Sequence, residues 1–444
     1  MSMYSKIFKY VSVPLSLLLV TGCLGAADSA SISKFSPVVS GTEGDDFARN
    51  ITTDASGAGY VVGELNRNSM TPARMFLSKI EQDGSLAWSV ESNGDSDTYG
   101  EVVALSPDGS VYVAGFYGKG QTGSYLSLGD KTVESAPSEQ TNVFVAKTDS
   151  AGKTLWLKSF DSGPLDAARG LTVDSQGYVY IAGDSASNTG THAFLRKLDD
   201  QGNTIWLTQF KSAEYASASS VNIAKNGDLL LTGNFTNSLS IEKETLVSTG
   251  SYDGFAARLS SDGSLRWLRP LASSAANDYG YDILELSDAT IAVSGYYSGV
   301  ASFDGTSTTA QGGSDAYIAT LSANGDVTNV KSIGGAYDDY AYSMVRKGEN
   351  FVLAGRYTGS VSIDGTTLSE KSNTGLFLSE MTSGLSSVWS VSNPSTGTYY
   401  SYDAAVRPDG SLMVAAYYEE GLSVNGDVLK SVGMNDTLVY VLNP

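Results

Sequence analysis

Short runs of alternating apolar and polar residues, broken by Gly-containing turns, recur along the whole chain, and "DGSVYVAG" at residues 108–115 is the clearest copy. The copies end at Gly63, Gly115, Gly183, Gly233, Gly295, Gly355 and, with one substitution, Ala416, at spacings of 52, 68, 50, 62, 60 and 61 residues. Alternation predicts strands, and a period of this length predicts a repeat architecture. Each copy holds four strands, complete in "YGEVVALSPDGSVYVAG", "NVFVAKTDSAG" and "KTLWLKSF". The second strand is expected to bury Val111 and Val113 while Tyr112 points outward, with Val179, Ile181 and Tyr180 repeating the arrangement. Turns such as Asp108-Gly109, Asp262-Gly263 and Asn324-Gly325 have favoured hairpin chemistry.

The tryptophans check this alignment independently of its glycines. Trp88, Trp156, Trp206 and Trp267 each lie four residues beyond the Gly of a second turn, and Trp389 lies five beyond Gly384, which accounts for all five. The fifth copy carries Asn329 at that place, and the seventh ends after its third strand in "TLVYVLNP". The segment "KFSPVV" at 34–39 stands before "GTEGDD" as a fourth strand would, so it is expected to complete the last unit. The reading is all-β: a seven-bladed β-propeller of four-stranded blades, the last closed by the N-terminal strand.

These strings resemble the bacterial seven-bladed β-propeller repeat family, and the likeness covers residues 33–444. The resemblance implies a scaffold on secreted and surface proteins rather than one activity. The fifth and sixth copies depart from the pattern at the first turn, where Ala289 and Glu349 replace Gly.

The start of the chain reads as an address. Lys6 and Lys9 precede an apolar run from Val11 to Val20 that contains Pro14 and is too short to span a bilayer, and Thr21-Gly22-Cys23 follows. This resembles the lipobox of bacterial lipoproteins, which implies lipidation at Cys23, the only cysteine. Leu24 in place of Asp favours the outer membrane within that resemblance. Residues 1–22 are thus read as a lipoprotein signal peptide, 23–32 as the lipidated Cys with a small, polar tether, and 33–444 as the propeller. The protein is placed in the bacterial envelope, anchored to the outer membrane by lipid and facing either the periplasm or the exterior.

Charge narrows the partners. The chain has 28 basic and 48 acidic side chains, and removing residues 1–22 takes away two lysines, leaving about −22. Such a chain repels phosphates, which argues against nucleic acid. A monomer that holds a protein or saccharide ligand fits better.

Aligned first strands carry one small residue each, namely Ala48, Gly100, Ala168, Ala218, Gly280, Ala341 and Ser401, where strands crowd around a central channel. Just before them acids and aromatics recur at a rim, and in five copies the turn between strands two and three is enlarged and is expected to add a small hairpin, as in "NSLSIEKETLVS". The candidate ligand-binding residues are Tyr99, Asp278, Tyr279, Tyr281, Asp339, Tyr340, Tyr342 and Tyr400, with tyrosine faces stacking and aspartates accepting hydroxyl hydrogens. The alternative use of the same residues is packing between blades and capping of turns.

Reactive chemistry is sparse. His192 is the only histidine and is expected at a surface or edge, so no His-based triad or multi-histidine zinc site can be built from this chain alone. No catalytic residue, metal ligand or cofactor is assigned, although Asp-rich turns such as "NGDSD" leave a structural calcium open. The function expected is a non-enzymatic recognition or scaffolding propeller. The alternatives are a carbohydrate-active hydrolase or lyase using rim acids such as Asp339 together with tyrosines, and an envelope assembly factor.

Overall fold

Ten tight turns organise the strands, and at each a glycine takes a conformation that side chains resist. Gly57, Gly109, Gly177, Gly227 and Gly410 at first turns, and Gly84, Gly152, Gly202, Gly263 and Gly325 at second turns, have φ between +79° and +88°. The two departures are solved differently. Ala289 adopts the left-handed conformation itself at φ 67°, whereas in the sixth copy Gly348 at φ 61° takes over in a shorter turn that pairs Lys347 with Asn350.

The computed structural model describes residues 31–36, 42–67, 71–118, 123–135, 141–160, 163, 165–392, 399–424 and 427–443. Among these no helix occurs, and the strands form seven four-stranded antiparallel sheets. Six are contiguous in sequence, spanning 45–91, 98–160, 166–210, 216–270, 279–333 and 340–392. In the seventh, strand β1 (Ser31–Ser36) pairs antiparallel with Asp427–Asn443, Ser31 opposite Asn443, and the order continues through Leu412–Val424 to Tyr399–Val406. The enlarged turns form the expected hairpins. Tyr125–Leu128 pairs with Lys131–Glu134 and Ser238–Ile241 with Glu244–Val247, while in the last three sheets strands two and three simply continue into the hairpin.

The apolar core lies between sheets, in seven clusters. Val111 and Val113 pack with Tyr60, Val62 and Met75 of the first sheet, while Tyr112 and Ala114 on the opposite face pack with Val179 and Ile181 of the third. Tyr112 and Tyr180, expected to point outward, are therefore buried, because both faces of each sheet meet a neighbour. One cluster joins Ile51 and Val61 of the first sheet to Met413 and Val439 of the seventh. The first strands of consecutive sheets stand side by side around a channel, Tyr399–Val406 next to Asp45–Thr53, so the architecture is that of a β-propeller.

The tryptophans fasten this arrangement at the outer strands. Trp88, Trp156 and Trp267 donate Nε1–H to the carbonyls of Ser150, Asp200 and Ala323 in the second turn of the following sheet, at 3.1, 2.9 and 3.0 Å. A Cβ on Gly152, Gly202 or Gly325 would sit about 3 Å from the indole, so the glycine also makes room for the ring. Asn329, the residue in the place of Trp, still reaches the Gly384 carbonyl at 3.5 Å.

Candidate functional site

The repeated Gly at the end of strand two and the small residue of strand one belong to one device. A Cβ on Gly63, Gly115, Gly183, Gly233, Gly295 or Gly355 would lie 1.8–2.3 Å from a carbonyl oxygen of the first strand. Only glycine allows that approach. Just past the contact, all seven first strands shift register, with one extra residue between Ala48 and Asn50, Gly100 and Val102, Ala168 and Gly170, Ala218 and Ser220, Gly280 and Asp282, Ala341 and Ser343, and Ser401 and Asp403. These are β-bulges, which re-aim the extra side chain.

Six of the seven extra residues line one cavity of about 1040 Å3 in the channel: Arg49, Glu101, Arg169, Ser219, Tyr281 and Tyr342. The seventh is Tyr402, whose side chain lies outside the described residues. The ring has a charged half and an aromatic half. Arg49 Nε donates to both oxygens of Glu64 at 3.0 Å, and Glu64 has no exposed side-chain surface. Arg169 Nε donates to Asp184 Oδ1 at 3.0 Å while 37% of its side chain stays open to the channel, and Glu101 lies close enough to act on its charge. Each arginine thus carries its own carboxylate. Just beyond the ring, Asp282 accepts from Ser220 Oγ at 2.7 Å and Met344 N at 2.7 Å, and Asp403 from Asn50 Nδ2 at 2.6 Å and Ile51 N at 3.0 Å, tying neighbouring first strands together.

The aromatic half continues the tyrosine pattern of the sequence. Tyr215, Tyr252, Tyr279, Tyr281, Tyr296, Tyr340 and Tyr342 form an unbroken string, with neighbouring ring centroids 4.8–6.1 Å apart. Tyr279, Tyr281 and Tyr342 line the cavity together with Tyr215. Tyr340 stands behind Tyr342 in a parallel stack and under the Arg356 guanidinium, 5.0 Å from its ring centre. Tyr99 stacks on Phe116 at 4.7 Å away from this cluster. The Tyr400 side chain lies outside the described residues, although its backbone pairs with Tyr417. Burial raises the Tyr279 phenol to about 12 and that of Tyr281 well above its usual value, so both keep their proton.

The two candidate aspartates have a different use from the one expected. Asp278 and Asp339 have no exposed surface. Asp339 accepts from Gly335 N at 2.7 Å and Thr358 N at 3.1 Å, and Asp278 from Ser298 N at 3.1 Å. Asp46 in the first sheet does the same with Thr42 N and Asn66 N, both at 2.7 Å. Each carboxylate clamps the connection between sheets to the end of strand two. The cavity is lined by Tyr279, Tyr281 and Tyr342 and not by these two carboxylates. Desolvation pushes Asp278 up to about 6 and Asp339 to about 7.

The remaining expectations find these places. His192 is buried rather than at a surface: Nδ1 accepts from Ser212 N at 3.1 Å, which leaves Nε2 to donate to Ser187 Oγ at 3.0 Å. Among the described residues no three His, Cys, Asp or Glu side chains gather in an arrangement that would hold a metal ion. Cys23 and the leader lie outside the described residues. Among the bulged residues Tyr281 and Tyr342 were marked in the sequence by their tyrosine clusters, whereas Arg49, Glu101, Arg169 and Ser219 were not, because no residue type recurs through all copies and a fixed place one residue after the small residue was their only mark.

No protein-family model and no curated protein matches the chain. Solved structures similar to it include polysaccharide lyase Uly1, at 10% identity over 95% of this chain and 94% of that one with a TM-score of 0.48. The Neurospora crassa Pan2 WD40 domain is similar at 9% identity, 89% of each chain and 0.47, and YCF48 bound to D1 peptide at 10%, 95% and 100%, and 0.42. These neighbours are β-propeller proteins, and at such identities the likeness is one of fold alone.

Proposed function

We propose that this chain is a lipid-anchored recognition propeller of the bacterial envelope that binds an uncharged saccharide in its channel. In this reading the seven sheets are seven blades, Ser31–Ser36 closes the ring, and Cys23 carries the lipid at the outer membrane. The observation that carries the ligand class is the ring of bulged side chains. Its arginines are held by Glu64 and Asp184, and with Arg67 also on Glu64 and Glu101 beside Arg169 the bases and acids of the ring number three each, so it carries no net charge to favour an anion or cation. What it offers is hydrogen-bonding groups on one half and tyrosine surface on the other, which suits hydroxyls and C–H faces of a sugar ring. Tyr279, Tyr281 and Tyr342 make the contact, Tyr340 backs them, and Asp278 and Asp339 hold their strands. Tyr99 and Tyr400 belong to the same rim farther round.

A glycan array followed by calorimetry on the chain from residue 24 tests this. Tyr281→Ala and Tyr342→Ala should each weaken a bound saccharide about tenfold, or 1.4 kcal/mol, at a temperature where melting of the free protein shows the variant still folded. Saccharide binding that survives both substitutions, or no saccharide binding at all, overturns the reading.

A second reading, a scaffold for protein partners or envelope assembly, is favoured by exposed apolar side chains on the rim hairpins and connections. Val247, Val300, Tyr337 and Val432 are 72%, 62%, 60% and 64% exposed. Capture of an envelope protein that is lost with Val300→Ser and Tyr337→Ser but kept with Tyr281→Ala supports it. The hydrolase or lyase alternative loses its nominated acid, because Asp339 is buried and bonded to amides.

A further inference from the structure

We infer that the end of the propeller opposite the tyrosine mouth faces the membrane, so that the mouth opens into the aqueous space. This rests on the lipid anchor at Cys23 in the preceding reading, and it adds a direction which that reading leaves open. The argument is one of strand polarity. First strands run from the mouth inward, as Asp45–Thr53 does, and end at the Asp-Gly turns on the far side. Second strands return to the mouth, and third strands run away from it again. Asp427–Asn443 is a third strand, so Asn443 lies at the far end. Ser31 pairs with Asn443, and the chain therefore enters β1 at the far end too.

Covalent reach turns this placement into an orientation. Seven residues, 24–30, separate Cys23 from Ser31, and eight Cα steps extend at most about 29 Å. A nine-residue first strand such as Asp45–Thr53 is about 30 Å long at roughly 3.3 Å per residue. With the far end against the lipid, the link is slack. With the mouth against the lipid, the entry to β1 is held a full strand length away, and the rim hairpins add to that distance. Turning the mouth to the membrane therefore takes the link to the limit of its reach, where a chain keeps almost none of its conformations.

The test uses the full lipidated protein in phospholipid vesicles carrying a headgroup energy acceptor. With Cys23 acylated, a single introduced cysteine takes the donor dye. Asn324→Cys marks the far end of the fifth sheet and Thr306→Cys its rim hairpin, and both positions are exposed. Transfer from position 324 should exceed that from 306 several-fold, and inserting a long Gly/Ser segment after Leu24 should bring the two together. Equal transfer in the unmodified link, or greater transfer from 306, overturns the orientation. Intact-mass measurement of the N-terminus separates this from failure of the anchor, since an unlipidated Cys23 would leave both dyes without transfer.

Discussion

Gly295→Ala should be the most informative single substitution, because it separates close approach from backbone freedom as the reason for the repeated glycine. The new Cβ would lie 1.8 Å from the Tyr279 carbonyl oxygen and 2.8 Å from Cε1 of the buried Tyr317 ring. An ordinary carbon–oxygen contact is about 3.3 Å, so strand one has to retreat by about 1.5 Å. Overpacking of this kind costs about 1–3 kcal/mol. Losing a buried backbone hydrogen bond beside it adds about 1–3 kcal/mol, and the expected destabilisation is about 3–5 kcal/mol. Gly305→Ala is the control, since that glycine has φ +87° with nothing within 4 Å of the added carbon; its cost should be only about 1 kcal/mol. Urea unfolding of the chain from residue 24 reads both, and Trp267, which donates to Ala323 in the fifth sheet, provides a local fluorescence signal. Gly295→Ala should also weaken saccharide binding, although residue 295 does not line the cavity, because Tyr279 and Tyr281 move with their strand. A cost no greater than that of Gly305→Ala would refute the reasoning. The seventh sheet carries Ala416 at this place with the same pairing, opposite Ser401, and nothing in the structure explains how its methyl group is accommodated.

Three further outcomes follow from the same structure. Ala289→Gly should raise stability by about 0.5–1 kcal/mol in urea titration, because Ala289 now holds φ 67° at a cost of about 1–2 kcal/mol; a loss of stability would mean that its methyl group makes a contact of its own. Glu64→Ala should cost about 3–5 kcal/mol by leaving Arg49 without its buried partner, and Glu64→Leu with Arg49→Met should recover most of it, a result that an equally unstable double variant would contradict. The carboxyls of Asp278 and Asp339, raised to about 6 and about 7, bind their protons more tightly folded than unfolded. Their contribution is therefore full below about pH 4 and is lost as pH rises through 6 and 7, on the order of 3–4 kcal/mol each at 1.36 kcal/mol per unit. The urea midpoint should be higher at pH 5 than at pH 8, and the reverse order would show that the amides from Gly335 and Thr358 outweigh desolvation.

Much of the fold was legible because its glycines and tryptophans are constrained from more than one side. Gly152 needs both φ +83° and room for Trp88, so no other residue serves and the spacing survives in sequence. The faces of strand two were misread for a general reason: alternation marks one wet face in a single sheet, but Tyr112 and Tyr180 face a second sheet and are covered by it. The aspartates were found but their use was not. A carboxylate clamping two amides and one accepting sugar hydroxyls require the same residue near the same rim, and only burial tells them apart.

The bulge explains why the site was the least legible part. Ala48, Gly63 and their counterparts fix where each first strand bends, and those positions are held by steric contact with their own sheet. The extra residue between Ala48 and Asn50 has no such duty, since the backbone ladder closes around it and it projects into the channel. The seven places accordingly hold Arg, Glu, Arg, Ser, Tyr, Tyr and Tyr, with no single type throughout. In the proposed reading the repeat thus carries stability at its constant positions and recognition at its variable one. Substitutions at Ser219 or Tyr342 should then change what the channel holds while leaving the sheets intact, whereas changes at Ala48 or Gly63 should do the opposite. A position that varies between copies is where a repeat of this kind should be searched for its ligand.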